Sequence, residues 1–328
     1  MSCRGGGTDL ETLEPAEQVR YEDIRTASGL PELASRLGYS DEHEAYFAAK
    51  SVWYELRGKL LSDWTPLTEL PGDCVSVDGQ AFHVHGITHA DTEPERRLVR
   101  DHAQELLEQG ATVYCEQGIR RMYFEDLPAV YEIDDYSWAA ARCREMGLDS
   151  HVDIHERDGF AELTADVRDV AGEFRDVVFS LIDSGRSVYG DGFGSALGDI
   201  ASDFLMSHEE FATGEDFTSF RKSRVAAENP ERLLELQRYY KQVFLPQPIE
   251  REWLRRHDPE LELFTHARNE RMADFAVYNS DDEAVHLIVG AAHQPGICYY
   301  LDEHRTGDRT VKGYEPTAHD RPAGGEGC

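Results

Sequence analysis

Lysine is scarce in this chain of 328 residues, while acidic residues are abundant. The 33 basic residues include only five lysines and stand against 64 acidic ones, which gives a formal net charge of −31 at pH 7. So large a negative charge repels itself unless salt screens it, and the Debye length falls to about 3 Å at 1 M ionic strength. We therefore expect a protein adapted to a high-salt cytoplasm.

Other absences exclude whole classes of function. The sequence has no basic stripe to neutralise phosphates, so we expect no nucleic-acid partner. It has no apolar run near the ~20 residues of a membrane span, and its first residues lack the apolar segment of an export signal. The six cysteines form no C-x-x-C pair, which argues against a zinc ribbon or a dense disulfide framework. We expect a soluble cytoplasmic protein, and the oligomeric state stays open.

Composition divides the chain into a central domain and two tails. Residues 1–20 are Gly-rich and acidic, which predicts a disordered N-terminal tail, and the polar residues 307–328 predict a flexible C-terminal one. Between them, residues 21–306 are expected to form a single α/β domain with a helical insertion at about 136–257. The run Gly190–Gly194 in this insertion superficially resembles a phosphate loop but lacks G-K-[ST], which predicts a flexible turn.

Periodicity predicts strands and helices in alternation. Apolar residues at helical spacing indicate a helix over 42–64, and the dipeptide Asp78-Gly79 between two apolar runs predicts a hairpin over 74–85. A helix to about Gln109, a strand over 111–115, a helix over 263–277 and a strand over 285–289 follow. This order is typical of an α/β fold with a mixed or parallel sheet.

A four-residue pattern, G-x-x-H, follows two of the predicted strands. Gly86-Ile87-Thr88-His89 follows the run 81–85, and Gly290-Ala291-Ala292-His293 follows the run 285–289. Ligands of open α/β sheets bind outside the carboxyl ends of the strands, so two such units can bring two imidazoles to one cleft. A metal site or an acid–base pair requires this arrangement. Glu116 ends the strand 111–115, which we expect to be the parallel neighbour of the first G-x-x-H strand.

These motifs resemble the TraB/PrgY, GumN and TIKI superfamily, with more distant relatives among erythromycin esterases and ChaN-like proteins. The resemblance covers about residues 75–125 and 260–303. The chain departs from the family pattern at His83 and His85, where plain apolar residues are expected. The matching pieces are the two G-x-x-H motifs, Tyr114-Cys115-Glu116, Arg268-Asn269-Glu270-Arg271-Met272 and the continuation Gln294-Pro295-Gly296-Ile297.

The resemblance implies an α/β core of two related halves whose G-x-x-H histidines and acid face one cleft. It also implies the activity proposed for the TIKI branch, metal-dependent hydrolysis of peptide bonds. Other branches are linked to peptide-pheromone shutdown or to haem. A non-enzymatic regulatory protein that binds a metal or haem is therefore the alternative to a hydrolase acting on a peptide or a small amide or ester.

Our hypothesis for the site is that His89, His293 and Glu116 hold a divalent metal. Two imidazoles and a carboxylate suit Zn²⁺, Mn²⁺ or Co²⁺ and leave an open position for water. Arg268 is then a candidate for stabilising an oxyanion, and Asn269 for orienting the substrate or a ligand.

Other readings of the same residues stay open. Glu116 is alternatively the general base, or a buried acid paired with Arg120 or Arg268. Gly86, Gly290 and Gly296 are structural members of the motifs.

His83 and His85 point to one face of their strand because side chains alternate. Such an H-x-H also begins the metal site of amidohydrolase-like barrels, with His151 or His155 as further candidates. The chain lacks the eight regular βα units of a barrel, so the pair is alternatively expected to fill a polar strand face.

Overall fold

The computed structural model describes residues 10–62, 64–65, 69–148, 180 and 217–316. The predicted turn at 190–194, both His151 and His155, and most of the predicted helical insertion lie outside these residues. The described ends of the insertion are helical, as expected: α6 spans Asp135–Met146, α7 Phe217–Glu228, α8 Leu233–Val243 and α9 Gln247–His257.

The described part of the chain contains a five-stranded mixed sheet, which confirms the predicted α/β class. The strands are β1 (Gly72–Val77), β2 (Gln80–Ile87), β3 (Thr112–Cys115), β4 (Val130–Glu132) and β5 (Ala284–Gly290), in the order β1-β2-β5-β3-β4. β1 pairs antiparallel with β2 through the predicted Asp78-Gly79 hairpin, where both residues have positive φ. The other pairs are parallel.

One prediction about the sheet is wrong. β2 and β3 are not neighbours, because β5 lies between them and pairs with both. The two strands that carry G-x-x-H are instead adjacent to each other. Leu287 at the centre of β5 lies opposite Val84 of β2 on one side and Tyr114 of β3 on the other.

Helices cover both faces of the sheet, because alternate residues of the buried strands point to opposite sides. On one face Ile288 packs with α4 (Glu93–Glu108), α5 (Ile119–Tyr123), α7 and α8. On the other face Val285 and Leu287 pack with α11 (Arg268–Asn279) and α12 (Gln294–Thr306). Short α10 (Pro259–Glu262) and a π-helical turn, Leu263–Ala267, lead directly into α11.

A separate apolar cluster joins the first helices to α9. Helices α1 (Pro15–Arg25), α2 (Leu30–Leu37) and α3 (Glu42–Leu60) bury Tyr46 and Leu33 against Trp253 and Ile249. The stacked rings of Tyr46 and Trp253, with centroids 4.2 Å apart, lie at its centre. None of the helices in the described ranges is long and apolar enough to cross a membrane.

The predicted tail boundaries need correction. A 3-10 turn at Leu10–Thr12 and helix α1 from Pro15 fall inside the predicted disordered tail of residues 1–20, and Leu13 is buried in the apolar cluster with α3. At the other end, Tyr314 is buried against Arg271, with the guanidinium 4.3 Å from the ring centroid. Leu13 is buried in the N-terminal segment and Tyr314 in the C-terminal one. Composition alone does not reveal that one buried side chain holds such a segment against the domain.

Candidate functional site

The carboxyl ends of three adjacent parallel strands form the site. His89 follows β2, His293 follows β5 and Glu116 follows β3, so β5 places His293 between the other two strands in the sheet order. Arg268 and Asn269 reach the same edge from the start of α11. The structure thus brings together all five polar residues predicted from the sequence.

Glu116 is the centre of this group and is only 3% exposed. Its Oε2 lies 3.3 Å from Nε2 of His89, and its Oε1 lies 3.5 Å from Nε2 of His293. The backbone N–H of Gly290 donates to Oε2 at 2.8 Å, and Nη2 of Arg268 donates to Oε1 at 2.6 Å. The carboxylate is therefore fixed by two charged or polar donors while it faces two imidazoles.

Arg268 lies between two buried carboxylates. Besides its bond to Glu116, its Nε donates to Oδ2 of Asp135 at 2.7 Å, and its Nη1 donates to the carbonyl of Phe264. Asp135 is 0% exposed and also accepts the backbone N–H of Gln117. The guanidinium of Arg268 therefore neutralises Glu116 and Asp135 and holds both carboxylates in place. This agrees with the reading of Glu116 as a buried acid paired with Arg268, whereas Arg120 donates to the carbonyl of Val130.

The pKa directions follow from these contacts. Burial alone would raise the pKa of Glu116, but the imidazoles of His293 and His89 and the guanidinium of Arg268 outweigh it and hold that pKa well below its usual range. Burial lowers the pKa of His293 to about 4. Burial opposes the charged form of His89 too, but Glu116 raises its pKa above the ordinary value. Burial raises the pKa of Asp135 to about 6.

The loop that carries His89 is held from helix α4. Glu95, 0% exposed, accepts the backbone N–H of Thr88 at 2.6 Å and the hydroxyl of Tyr123 at 2.6 Å. His89 and Asp91 both have positive φ, 62° and 52°, a conformation that costs energy for residues with a Cβ. Strained backbone held by buried hydrogen bonds is frequent at functional sites.

The glycines of the motifs allow the strands and side chains to approach closely. A Cβ on Gly290 would lie 3.0 Å from Nε2 of His89, and one on Gly86 would lie 2.8 Å from Cα of Ala291. A Cβ on Gly296 would lie 2.1 Å from Nδ2 of Asn269. All three positions therefore have a steric reason for glycine.

The side-chain amide of Asn269 contacts the second ring nitrogen of His293. Its Nδ1 lies 2.7 Å from Oδ1 of Asn269, whose Nδ2 donates to Oε1 of Gln247 at 3.4 Å. Gln247 in turn contacts Nδ1 of His266, in the π-helical turn. Metal-binding histidines commonly use their second nitrogen in this way.

Some distances among His89, Glu116 and His293 are compatible with a bound metal ion. Adjacent ligands of a tetrahedral Zn²⁺ lie about 3.3 Å apart, close to the two N–O distances at Glu116. Nε2 of His89 is buried and makes no hydrogen bond with any described residue. However, each imidazole faces a different oxygen, and across the described ranges no three His, Cys, Asp or Glu side chains are arranged as a metal-binding group. Binding would require these side chains to adjust.

A cleft of about 910 Å³ is lined in part by residues that follow His89 and Glu116 along the chain. It is lined by Asp91, two residues after His89, and by Gly118, two residues after Glu116. Arg96, Arg100 and Arg121 line it as well. Arg96 pairs with Asp91 and Arg100 with Asp126. Among the described residues that line this cleft, none is one of the five polar residues of the site.

His83 and His85 take no part in this site. They are buried, at 8% and 1% exposure, with His286 of β5 and His102 of α4. The rings of His83 and His286 stack with centroids 4.5 Å apart, and Nε2 of His85 lies 3.1 Å from Nδ1 of His286. Over the described residues the strands form a mixed five-stranded sheet and not the eight βα units of a barrel, and the pair fills a polar strand face that is buried.

Sequence reasoning missed Asp135, Gln247, His266 and Glu95. Asp135 comes directly after Asp134, and both are bound to arginines of α11, Asp134 to Arg271 and Asp135 to Arg268. Acidic residues are common at the start of a helix, so this pair did not by itself indicate arginine partners. Gln247 and His266 lie in no recognisable motif.

Comparison of this chain with protein-family models, curated proteins and solved structures finds no match.

Proposed function

We propose that this chain is a metal-dependent hydrolase of peptide bonds or of small amides or esters. The observation that supports it best is the carboxylate of Glu116 between the imidazoles of His89 and His293, at distances typical of neighbouring ligands of one ion. A bound Zn²⁺, Mn²⁺ or Co²⁺ would lower the pKa of a coordinated water towards ~7 and polarise the substrate carbonyl.

The remaining roles follow from the contacts of each side chain. An effective general base has a pKa near the working pH, and the pKa of Glu116 lies well below it, which favours Glu116 as a ligand over Glu116 as a base. Arg268 neutralises and orients Glu116. Asn269 orients His293. The side chain of His89 is 35% exposed and that of His293 is 13% exposed, so His89 is the more accessible imidazole of the two.

Elemental analysis of protein purified in multimolar KCl tests this proposal. We expect near-stoichiometric metal in the wild type and none in His89→Ala/His293→Ala. The matched control is His43→Ala/His257→Ala, which removes two exposed histidines elsewhere and should keep the metal. Metal-loaded protein would then be screened against a peptide library by mass spectrometry.

Two outcomes would count against the hydrolase. Wild-type protein that takes up no metal even after reconstitution with Zn²⁺, Mn²⁺ or Co²⁺ would contradict the site itself. Metal that depends on both histidines without turnover of any peptide, amide or ester would favour the non-enzymatic, metal- or haem-binding alternative.

A further inference from the structure

Three arginines from two helices line one cleft of about 910 Å³. Arg96 and Arg100 lie four residues apart on α4, so they share a face of that helix, and Arg121 comes from α5. The lining has as many arginines as acids, whereas the whole chain has 64 acidic residues against 33 basic ones. The planar fork of N–H donors on arginine matches the geometry of carboxylate and phosphate groups.

Acidic side chains hold two of these arginines in place and leave some of their donors free. Nε of Arg96 donates to Oδ1 of Asp91 at 2.9 Å, and its Nη2 lies 2.7 Å from Oδ2 of the same residue. Nη1 and Nη2 of Arg100 donate to the two carboxylate oxygens of Asp126 at 2.6 Å and 2.7 Å. Among the described residues, nothing accepts from Nη1 of Arg96 or from Nε of Arg100. Both guanidiniums are therefore oriented and still have a donor for a ligand.

The third arginine has all of its donors free within the described chain. Arg121 is exposed and makes no hydrogen bond or ion pair with any described residue. Glu125 also lines the cleft, but no ion pair joins it to Arg121 in the part of the chain that the structure describes. An unpaired guanidinium in the wall of a cleft offers five N–H donors to a ligand.

The cleft has room for a ligand larger than an inorganic ion. Its volume of about 910 Å³ falls within the range of sites for small organic molecules, about 300–1,000 Å³. Met122, an exposed apolar side chain, lines the cleft beside Arg121. Methionine is flexible and adapts to apolar groups of different shapes. The lining therefore offers contacts to both an oxyanion and an apolar group.

We propose that this cleft binds a small organic anion whose phosphate or carboxylate group contacts Arg121. Arg96 and Arg100 contribute their remaining donors, and Met122 packs against the apolar part of the ligand. None of these residues is one of the five polar residues of the candidate site, so this proposal does not depend on the proposed function. The net charge of −31 repels anions in general, so an anion that binds here must do so through local contacts.

Saturation-transfer NMR on the full-length protein without added metal tests the proposal with three aromatic probes. Phenyl phosphate and benzoate carry the two kinds of oxyanion, and benzyl alcohol carries none. At constant KCl concentration we expect at least one oxyanion to bind more tightly than benzyl alcohol. Tighter binding of phenyl phosphate would assign the site to phosphate ligands, and tighter binding of benzoate would assign it to carboxylate ligands. If neither oxyanion binds, or if benzyl alcohol binds as tightly as both, the proposal is wrong.

Variants separate contacts in the cleft from the net charge of the protein. Arg121→Met should weaken binding of the oxyanion by about 10-fold or more, as loss of a charge-assisted hydrogen bond does. Arg97→Met removes the same charge from α4 outside the lining and should leave the affinity unchanged. Glu125→Gln should tighten binding because it removes a negative charge from the lining, whereas Glu55→Gln, at an exposed position of α3, should not. Equal losses for the two arginine variants, or equal gains for the two glutamate variants, would overturn the proposal.

Discussion

Among single residues, Gly290 has the most direct steric link to the proposed metal ligands. A Cβ there would lie 3.0 Å from Nε2 of His89 and 3.4 Å from Oε2 of Glu116. We expect Gly290→Ala to displace the imidazole and weaken metal affinity by about 10-fold or more, as changes that misplace metal ligands do. Isothermal titration with Zn²⁺ measures this. The control is Gly313→Ala, where a Cβ meets nothing within 4 Å, and this variant should bind Zn²⁺ as the wild type does. Equal affinity of the two variants for Zn²⁺ would show that Gly290 does not shape the metal site.

Arg268 holds two buried carboxylates, so its loss leaves them without a counter-charge. Breaking a buried ion pair by removing one partner typically costs about 3–5 kcal/mol. We expect Arg268→Met to lower the free energy of unfolding by this amount in urea titrations at pH 7.5. Neutralising the acids with Glu116→Gln/Asp135→Asn should restore part of the loss.

The control for this prediction is an exposed arginine. Arg97 pairs with Glu93 on the surface of α4, with both side chains 70% exposed, so Arg97→Met should change the free energy of unfolding by less than about 1 kcal/mol. A loss for Arg268→Met no larger than that of the control would mean that water replaces the guanidinium between the two acids.

The sequence identified some members of the site and not others for a physical reason. His89, Glu116 and His293 each follow an apolar strand, so local pattern and the geometry of parallel sheets place them at one edge. Gln247 joins the site only because α9 packs against the start of α11, a contact between segments that no local pattern records.

At the scale of elements, Glu95 of α4 fixes the loop that carries His89. Its two oxygens accept from the backbone of Thr88 and from the hydroxyl of Tyr123. In Glu95→Gln one oxygen becomes a donor and opposes one of these donors, which should cost about 1–3 kcal/mol. Hydrogen exchange of the Thr88 amide should accelerate more than the loss of global stability accounts for.

A neighbouring glutamate provides the matched control. Glu93 is on the same helix and pairs with the exposed Arg97, so Glu93→Gln should leave exchange at Thr88 unchanged. If Glu95→Gln alone leaves Thr88 protected, the loop does not depend on this helix.

Element order in the sheet shows where sequence reasoning stops. The β1–β2 hairpin was predictable because the Asp78-Gly79 turn is local. The insertion of β5 between β2 and β3 was not, because its partners lie about 170 to 200 residues away along the chain. Which parallel strand pairs with which depends on packing of α4, α11 and α12 against the two faces, and periodicity alone carries no information about it.

The whole molecule should lose stability in mild acid because it buries neutral histidines. Burial lowers the pKa of five histidine side chains, and it lowers that of His286 to about 3. The five are His83, His85, His102, His266 and His286. Unfolding restores values near 6.5, so below that pH the unfolded chain binds more protons and stability falls with decreasing pH. Each buried histidine adds a slope of up to about 1.4 kcal/mol per pH unit.

Urea unfolding between pH 7 and pH 5 at constant KCl measures this slope. Ordinary carboxylates titrate below this window, whereas Asp135, whose pKa burial raises to about 6, and His89, whose pKa Glu116 raises, bind protons in the folded state and oppose the slope. His286→Asn should reduce the slope by up to about 1.4 kcal/mol per pH unit, whereas Gln104→Leu, which changes an exposed residue that does not titrate, should leave it unchanged. Equal slopes for the wild type and His286→Asn would show that folding does not change the pKa of His286.

Salt acts on the whole molecule through its net charge of −31. Repulsion among carboxylates destabilises the compact state, and multimolar KCl screens it over about 3 Å or less. We expect the melting temperature to rise from low to multimolar KCl. Salt also strengthens apolar burial, so a charge variant must separate the two effects. Neutralising three exposed acids, Glu44→Gln/Glu55→Gln/Asp101→Asn, should raise the melting temperature in low salt and change it little in high salt. If the variant raises the melting temperature equally at both salt concentrations, or at neither, then salt does not stabilise this protein by screening its net charge.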